Sequence, residues 1–114
     1  MENTQERIVK AARRYLEARG YEVVDQAEWE DRPVLVADDG GVIAFAQVAY
    51  GMHEMPADTF DRDSFEAFAG GYLAEHDIAD CQVRADRIDV MVVSVDRALL
   101  RHAVNRSGIP REAA

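Results

Sequence analysis

The stretch Pro33-Val34-Leu35-Val36-Ala37-Asp38-Asp39-Gly40-Gly41-Val42-Ile43-Ala44-Phe45-Ala46-Gln47-Val48-Ala49-Tyr50 decides how this chain folds. Two apolar, β-branched runs flank a turn made of residues that tolerate positive φ, so 33–37 and 42–50 read as the arms of a β-hairpin. The second arm is apolar on both faces from Val42 to Ala46, the pattern of a central, covered strand. Asp38 and Asp39 are candidate ligands for a divalent cation in the turn; the plain reading is an ordinary hairpin turn.

Upstream, Asn3 and Glu6 have capping-box spacing, and Ile8, Ala12, Tyr15 and Leu16 recur at helical spacing. Gly20 supplies a stop, so a first helix is expected at 4–18. Tyr21–Asp25 reads as a strand with an optional continuation to Trp29. The polar stretch Glu28–Arg32 before Pro33 reads as a connection. Downstream, 51–59 is a loop, and 62–76 is a second helix with Phe65, Phe68, Ala69, Tyr72 and Leu73 on its buried stripe. Asp63 with Glu66 is a candidate cap. In 82–94, Ile88, Val90 and Val92 alternate against Asp89 and Met91, as in a strand. The tail 97–105 is open between a short helix and a last strand, and 109–114 is expected to fray. The fold class is therefore α/β, with element order α-β-β-β-α-β and a mixed sheet flanked by helices.

The 114 residues make one domain, 1–114, with 48% hydrophobic and 31% charged residues. No apolar run reaches the ~20 residues of a membrane span. The opening residues lack the basic and apolar regions of a signal peptide, and the single cysteine, Cys81, forms no internal disulfide. These features lead to the expectation of a cytoplasmic protein. The formal net charge is −9, which works against nucleic-acid binding unless the basic residues cluster. The densest group is Arg7, Lys10, Arg13, Arg14 and Arg19. It is either the solvated face of the first helix or a phosphate-tracking stripe, with Arg7, Lys10, Arg13 and Arg14 as the candidate contacts.

Three stretches carry a resemblance to a known family: Ala11–Val24, the hairpin, and Gly71–His76 followed by Val83 and Arg87-Ile88-Asp89-Val90. In order and spacing they resemble the YraN-like bacterial proteins of the restriction-endonuclease-like superfamily, relatives of archaeal Holliday-junction resolvases. His102–Asn105 is similar to the family's closing segment. The resemblance implies a restriction-endonuclease-like core and a metal-dependent nuclease site on the hairpin, with magnesium or manganese as cofactor if the site is active. The chain departs from the family at that site. The family's Gly-Glu-Ile-Asp-Leu-Ile falls on Asp31-Arg32-Pro33-Val34-Leu35-Val36, which puts Val34 at the metal-binding aspartate. Its Glu-Val-Lys falls on Gln47-Val48-Ala49. The family tends to basic residues at the start of the second helix, where this chain has Asp61-Arg62-Asp63-Ser64.

Valine offers a hard cation nothing, a neutral amide offers one weak carbonyl, and alanine cannot stabilise developing negative charge. No lysine follows Lys10. A pseudo-nuclease that binds a protein partner or itself is therefore the leading expectation, with no cofactor. The alternatives are non-cleaving recognition of branched or single-stranded nucleic acid, and an endonuclease whose site has moved to Asp38, Asp39, Glu54 and Asp58. His53, Asp61 and Asp63 lie near those carboxylates in sequence, where a solvated acidic loop and helix start is the plain reading. His76, His102 and Cys81 read as structural residues, and Tyr50, Met52 and Met55 as core or an adaptable apolar edge.

Overall fold

A computed structural model describes residues 3–57 and 59–105. The chain is α/β: α1 (Thr4–Ala18), β1 (Glu22–Trp29), β2 (Arg32–Asp39), β3 (Val42–Met52), α2 (Arg62–Glu75), β4 (Gln82–Ser94) and β5 (Arg97–Ala103). This is the α-β-β-β-α-β order with one more strand, since the tail at 97–103 is β5. The sheet order is β1-β2-β3-β4-β5, with every pairing antiparallel except β3–β4. The expected frayed tail, 109–114, lies outside the described residues.

Local chemistry sets the helix ends. The Asn3 side chain accepts from the Glu6 amide at 2.8 Å, which fixes the start of α1. Its end is a Schellman motif. Gly20 at φ 91° donates to Glu17 O, and Tyr21 donates to Leu16 O. At the start of α2 the cap is Asp61, whose carboxylate accepts from the Ser64 amide at 3.1 Å, rather than Asp63. The aspartate two residues earlier is the one with extended backbone (φ −114°, ψ 110°), as a cap requires. The end of α2 repeats the Schellman pattern, with Asp77 and Ile78 donating to Ala74 O and Leu73 O. Here an aspartate sits at φ 52° in place of glycine. Asp77→Gly is expected to raise stability by about 0.5–1 kcal/mol, read as a higher urea midpoint at unchanged m.

The connection expected at 28–32 shrinks to Glu30-Asp31, and the optional continuation of the first strand to Trp29 is the one taken. β1 runs to Trp29, and a two-residue turn at Glu30-Asp31, both at positive φ (55° and 60°), closes a β1–β2 hairpin. The indole explains the longer strand. Trp29 is buried, stacks on Phe68 at 5.8 Å, and donates from Nε1 to Ser64 Oγ at 2.8 Å, so polar neighbours do not pull it out of the sheet.

The helices cover opposite faces of the sheet. On one face Ile8, Ala12 and Leu16 of α1 pack on Leu35, Ala46, Val48 and Ile88. On the other, Phe65 and Ala69 of α2 pack on Trp29, Val34, Val36, Phe45 and Ala85. Tyr72, at the rim of the second cluster, donates its hydroxyl to Asp25 Oδ2 at 2.6 Å. Burial and this bond push its pKa up to about 12. The same bond, with the Gln26 amide, holds the Asp25 carboxyl below its usual range. In Tyr72→Phe the Asp25 resonance is therefore expected to titrate at higher pH in an NMR titration.

Candidate functional site

Strand β4 carries two Arg-x-Asp pairs, Arg84/Asp86 and Arg87/Asp89. Alternation along the strand sends one pair to each face of the sheet. The five charged or polar residues that are buried in the sheet are Gln47, Arg84, Asp86, Arg87 and Asp89. Among the described residues no buried side-chain nitrogen or oxygen lacks a hydrogen-bond partner.

The α2 face holds the positions on which the nuclease reading turns. Val34 pairs with Gln47, Gln47 with Arg87, and Ala49 with Asp89, so the hairpin positions and the second Arg-x-Asp pair share one patch. The fold thus brings Val34, Gln47 and Ala49 together, and buries all three at 0%, 4% and 4% exposure. Gln47 Nε2 donates to Trp29 O at 3.3 Å. Arg87 Nε donates to Asp89 Oδ1 at 2.8 Å, and Arg101 Nη2 donates to Asp89 Oδ2 at 2.8 Å. The remaining Arg87 nitrogens bind Ala57 O at 2.5 Å and Thr59 O at 3.3 Å, drawing the loop after β3 over the patch. Among the described residues, Asp89 is the one carboxylate of the patch; it is engaged by two guanidinium groups, and its described neighbours offer a metal no further anionic oxygen. The donor set does not fit the magnesium or manganese of a nuclease.

On the α1 face Asp86 accepts four hydrogen bonds. Arg84 Nε and the Asn105 amide reach Oδ1 at 2.8 and 2.9 Å; Arg84 Nη2 and His102 Nε2 reach Oδ2 at 3.1 and 2.9 Å. Burial opposes ionisation of Asp86, but the bonds from His102, Arg84 and Asn105 outweigh it and keep its pKa below the usual value. Arg84 extends the network to Asp39 Oδ2 at 2.9 Å and the Tyr21 hydroxyl at 2.8 Å. Burial raises the Tyr21 pKa, opposed by Arg84. An ionised Asp86 can only accept, so His102 carries its proton on Nε2. Its Nδ1 faces the Tyr15 hydroxyl at 3.2 Å. The network fastens α1 and the ends of β2 and β5 onto β4.

The candidate carboxylates of a relocated site are placed apart from one another in role. Asp38 Oδ1 accepts from the Gly41 amide inside the turn, and Asp39 is bound to Arg84. Glu54 is exposed in the loop, and Asp58 lies outside the described residues. Among the described residues no three His, Cys, Asp or Glu side chains lie close enough to hold a metal ion.

The basic candidates divide. Arg13 pairs with Glu17 at 3.5 Å on the open side of α1. Arg7, Lys10 and Arg14 instead line a groove of about 790 Å³ between α1 and the β4–β5 turn, joined by His53 and Arg97. Arg7 Nη2 donates to Val95 O at 2.7 Å and ties the helix to that turn. Asp96 is the one acidic residue among the described residues of the lining, and Ile8, Val90 and Val92 contribute apolar floor.

No protein-family model matches this chain, and no curated protein matches it closely enough to count as a relative.

Proposed function

We propose that the chain is a catalytically inactive domain of the restriction-endonuclease-like kind, close in type to the YraN-like and Holliday-junction-resolvase proteins, and that it works as a protein-binding module. One observation carries the reading. The three hairpin positions where such a nuclease needs two carboxylates and a lysine hold Val34, Gln47 and Ala49, buried beside an Arg87–Asp89–Arg101 ion cluster. A closed, hydrogen-bonded patch can brace a fold, but its described residues present nothing to polarise a phosphate or activate water. The single, unpaired Cys81 accords with a reducing, cytoplasmic setting. No described helix is long and apolar enough to cross a membrane.

The test is incubation of the purified chain with supercoiled, single-stranded and four-way-junction DNA in magnesium and in manganese. No cleavage is expected. Metal-dependent cleavage that disappears in Asp38→Asn, Glu54→Gln or Asp58→Asn would overturn the reading in favour of a relocated site.

The basic groove favours a second reading, non-cleaving nucleic-acid binding, because it gathers Arg7, Lys10 and Arg14 with Arg97. The net charge of −9 weighs against it. Anisotropy of a labelled four-way junction separates the two: tight binding whose affinity falls steeply with salt would support the nucleic-acid reading.

A further inference from the structure

The geometry points to the groove between α1 and the β4–β5 turn as the docking site for an acidic, amphipathic segment of a partner protein. This inference rests on the protein-binding reading above and names its surface and its ligand chemistry.

The first ground is charge segregation. The chain has 22 acidic and 13 basic residues, yet among the described residues the groove is lined by Arg7, Lys10, Arg14 and Arg97 against Asp96 alone. A cationic cleft in an acidic protein concentrates field and selects anionic groups while the remaining surface repels them. The second ground is the floor. Ile8, Val90 and Val92 lie at its base, Ala98 faces it from β5, and Met52 at the end of β3 is 55% exposed at its edge. A cleft of about 790 Å³ is within the size range that buries most of a bound ligand's surface. The ligand that satisfies both is a peptide with apolar anchors for the floor and carboxylates for the rim.

The same lining disfavours nucleic acid. Single strands are held by stacking bases on aromatic side chains, and no Phe, Tyr or Trp is among the described residues that line the groove. Its walls are well braced for binding. Arg7 bonds to Val95 O, and the His53 amide donates to Val92 O at 2.8 Å, so helix, β3 end and turn are fixed relative to one another. Preorganised walls lower the ordering cost of association.

The experiment pans phage-displayed random short peptides against the full chain and measures selected peptides by anisotropy at about 0.15 M salt. The expected result is enrichment of sequences that combine Asp or Glu with Leu, Ile or Phe. Affinity is expected to fall about tenfold or more in Arg14→Glu/Arg97→Glu. Ala98→Trp, which fills the floor without changing charge, is expected to abolish binding. Both changes are at exposed positions, and circular dichroism melts verify the fold. Enrichment of basic or uncharged peptides, no enrichment, or unchanged affinity in both variants would overturn the inference. So would groove-dependent binding of an oligonucleotide tighter than any peptide, or self-association lost in the same variants, which would make a second copy the occupant. DNA cleavage by the chain would sink the inactive-nuclease reading without bearing on these binding results.

Discussion

Asp86→Ala is expected to lower stability by about 3–5 kcal/mol, enough to leave much of the protein unfolded at moderate temperature. The Asp86 carboxylate is 0% exposed and receives Arg84, His102 and the Asn105 amide. Removing it strands the Arg84 guanidinium, itself 4% exposed, beside Asp39 alone as counter-charge. Most of the cost is that uncompensated cation, not the lost bonds. Asp86→Asn keeps the shape and part of the bonding, so a smaller loss is expected. Equal urea midpoints for wild type and Asp86→Ala would show that the network is not structural. The pH dependence follows from the same carboxylate. Its pKa is lower in the folded chain than in the unfolded one, so the unfolded state binds protons first as pH falls. Its contribution is complete above the ordinary aspartate range and is lost as pH drops below about 4 toward the folded value. Thermal melts across acid pH are expected to show a decline that is smaller in Asp86→Asn than in wild type, the remainder including Asp25, whose pKa is also lowered.

The second large effect is expected on the opposite face. Arg87→Ala removes the buried one of two guanidinium partners of a carboxylate that is 1% exposed, leaving it only the half-exposed Arg101, and frees the carbonyls of Ala57 and Thr59. A loss of about 3 kcal/mol or more is expected, together with faster proteolysis of the loop around Met55. Arg87→Met with Asp89→Leu removes both charges and refills the volume. That pair is expected to recover most of the stability, because an apolar patch replaces a desolvated ion pair at little net cost. It is not expected to recover the protease resistance, because the guanidinium still no longer reaches the loop. A double variant as unstable as Arg87→Ala would show that the ion cluster, and not the stranded charge, holds this face together.

Both helices were legible because their signals are local. The Asn3–Glu6 cap, the Gly20 stop and the apolar spacing of each stripe are each signals read within about two turns. The cap of α2 was misplaced by two residues because Asp61 and Asp63 are chemically alike and only the backbone conformation distinguishes them. The continuation of β1 to Trp29 stayed optional because polar Glu28 and Glu30 flank Trp29, whose burial depends on Phe68 and Ser64 far along the chain. The interior of β4 was the deepest loss. Period-2 alternation reads Asp89 as a solvent-facing residue, but both faces of this strand are covered. The usable signal was the repeated Arg-x-Asp, since residues two apart share a face and neutralise each other there. Val34 and Gln47, singled out through the resemblance, stand opposite one another across the hairpin. The ion cluster beside them depends on a parallel pairing that no local pattern encodes. The groove is assembled from α1, the end of β3 and the β4–β5 turn, so the sequence could supply Arg7, Lys10 and Arg14 but not His53 or Arg97.

The lone parallel junction, β3 against β4, also dictates an order of assembly. β1–β2, β2–β3 and β4–β5 are each closed by two residues, at Glu30-Asp31, Gly40-Gly41 and Val95-Asp96. Such hairpins form within microseconds. Joining the two antiparallel halves means closing the long segment that carries α2, an entropic cost met before the seam returns any stabilisation. The rate-limiting barrier therefore falls at the seam. Trimming Val48 or Ile88, on its α1 side, is expected to slow refolding, while changes at the outer edges of β1 and β5 are expected chiefly to speed unfolding.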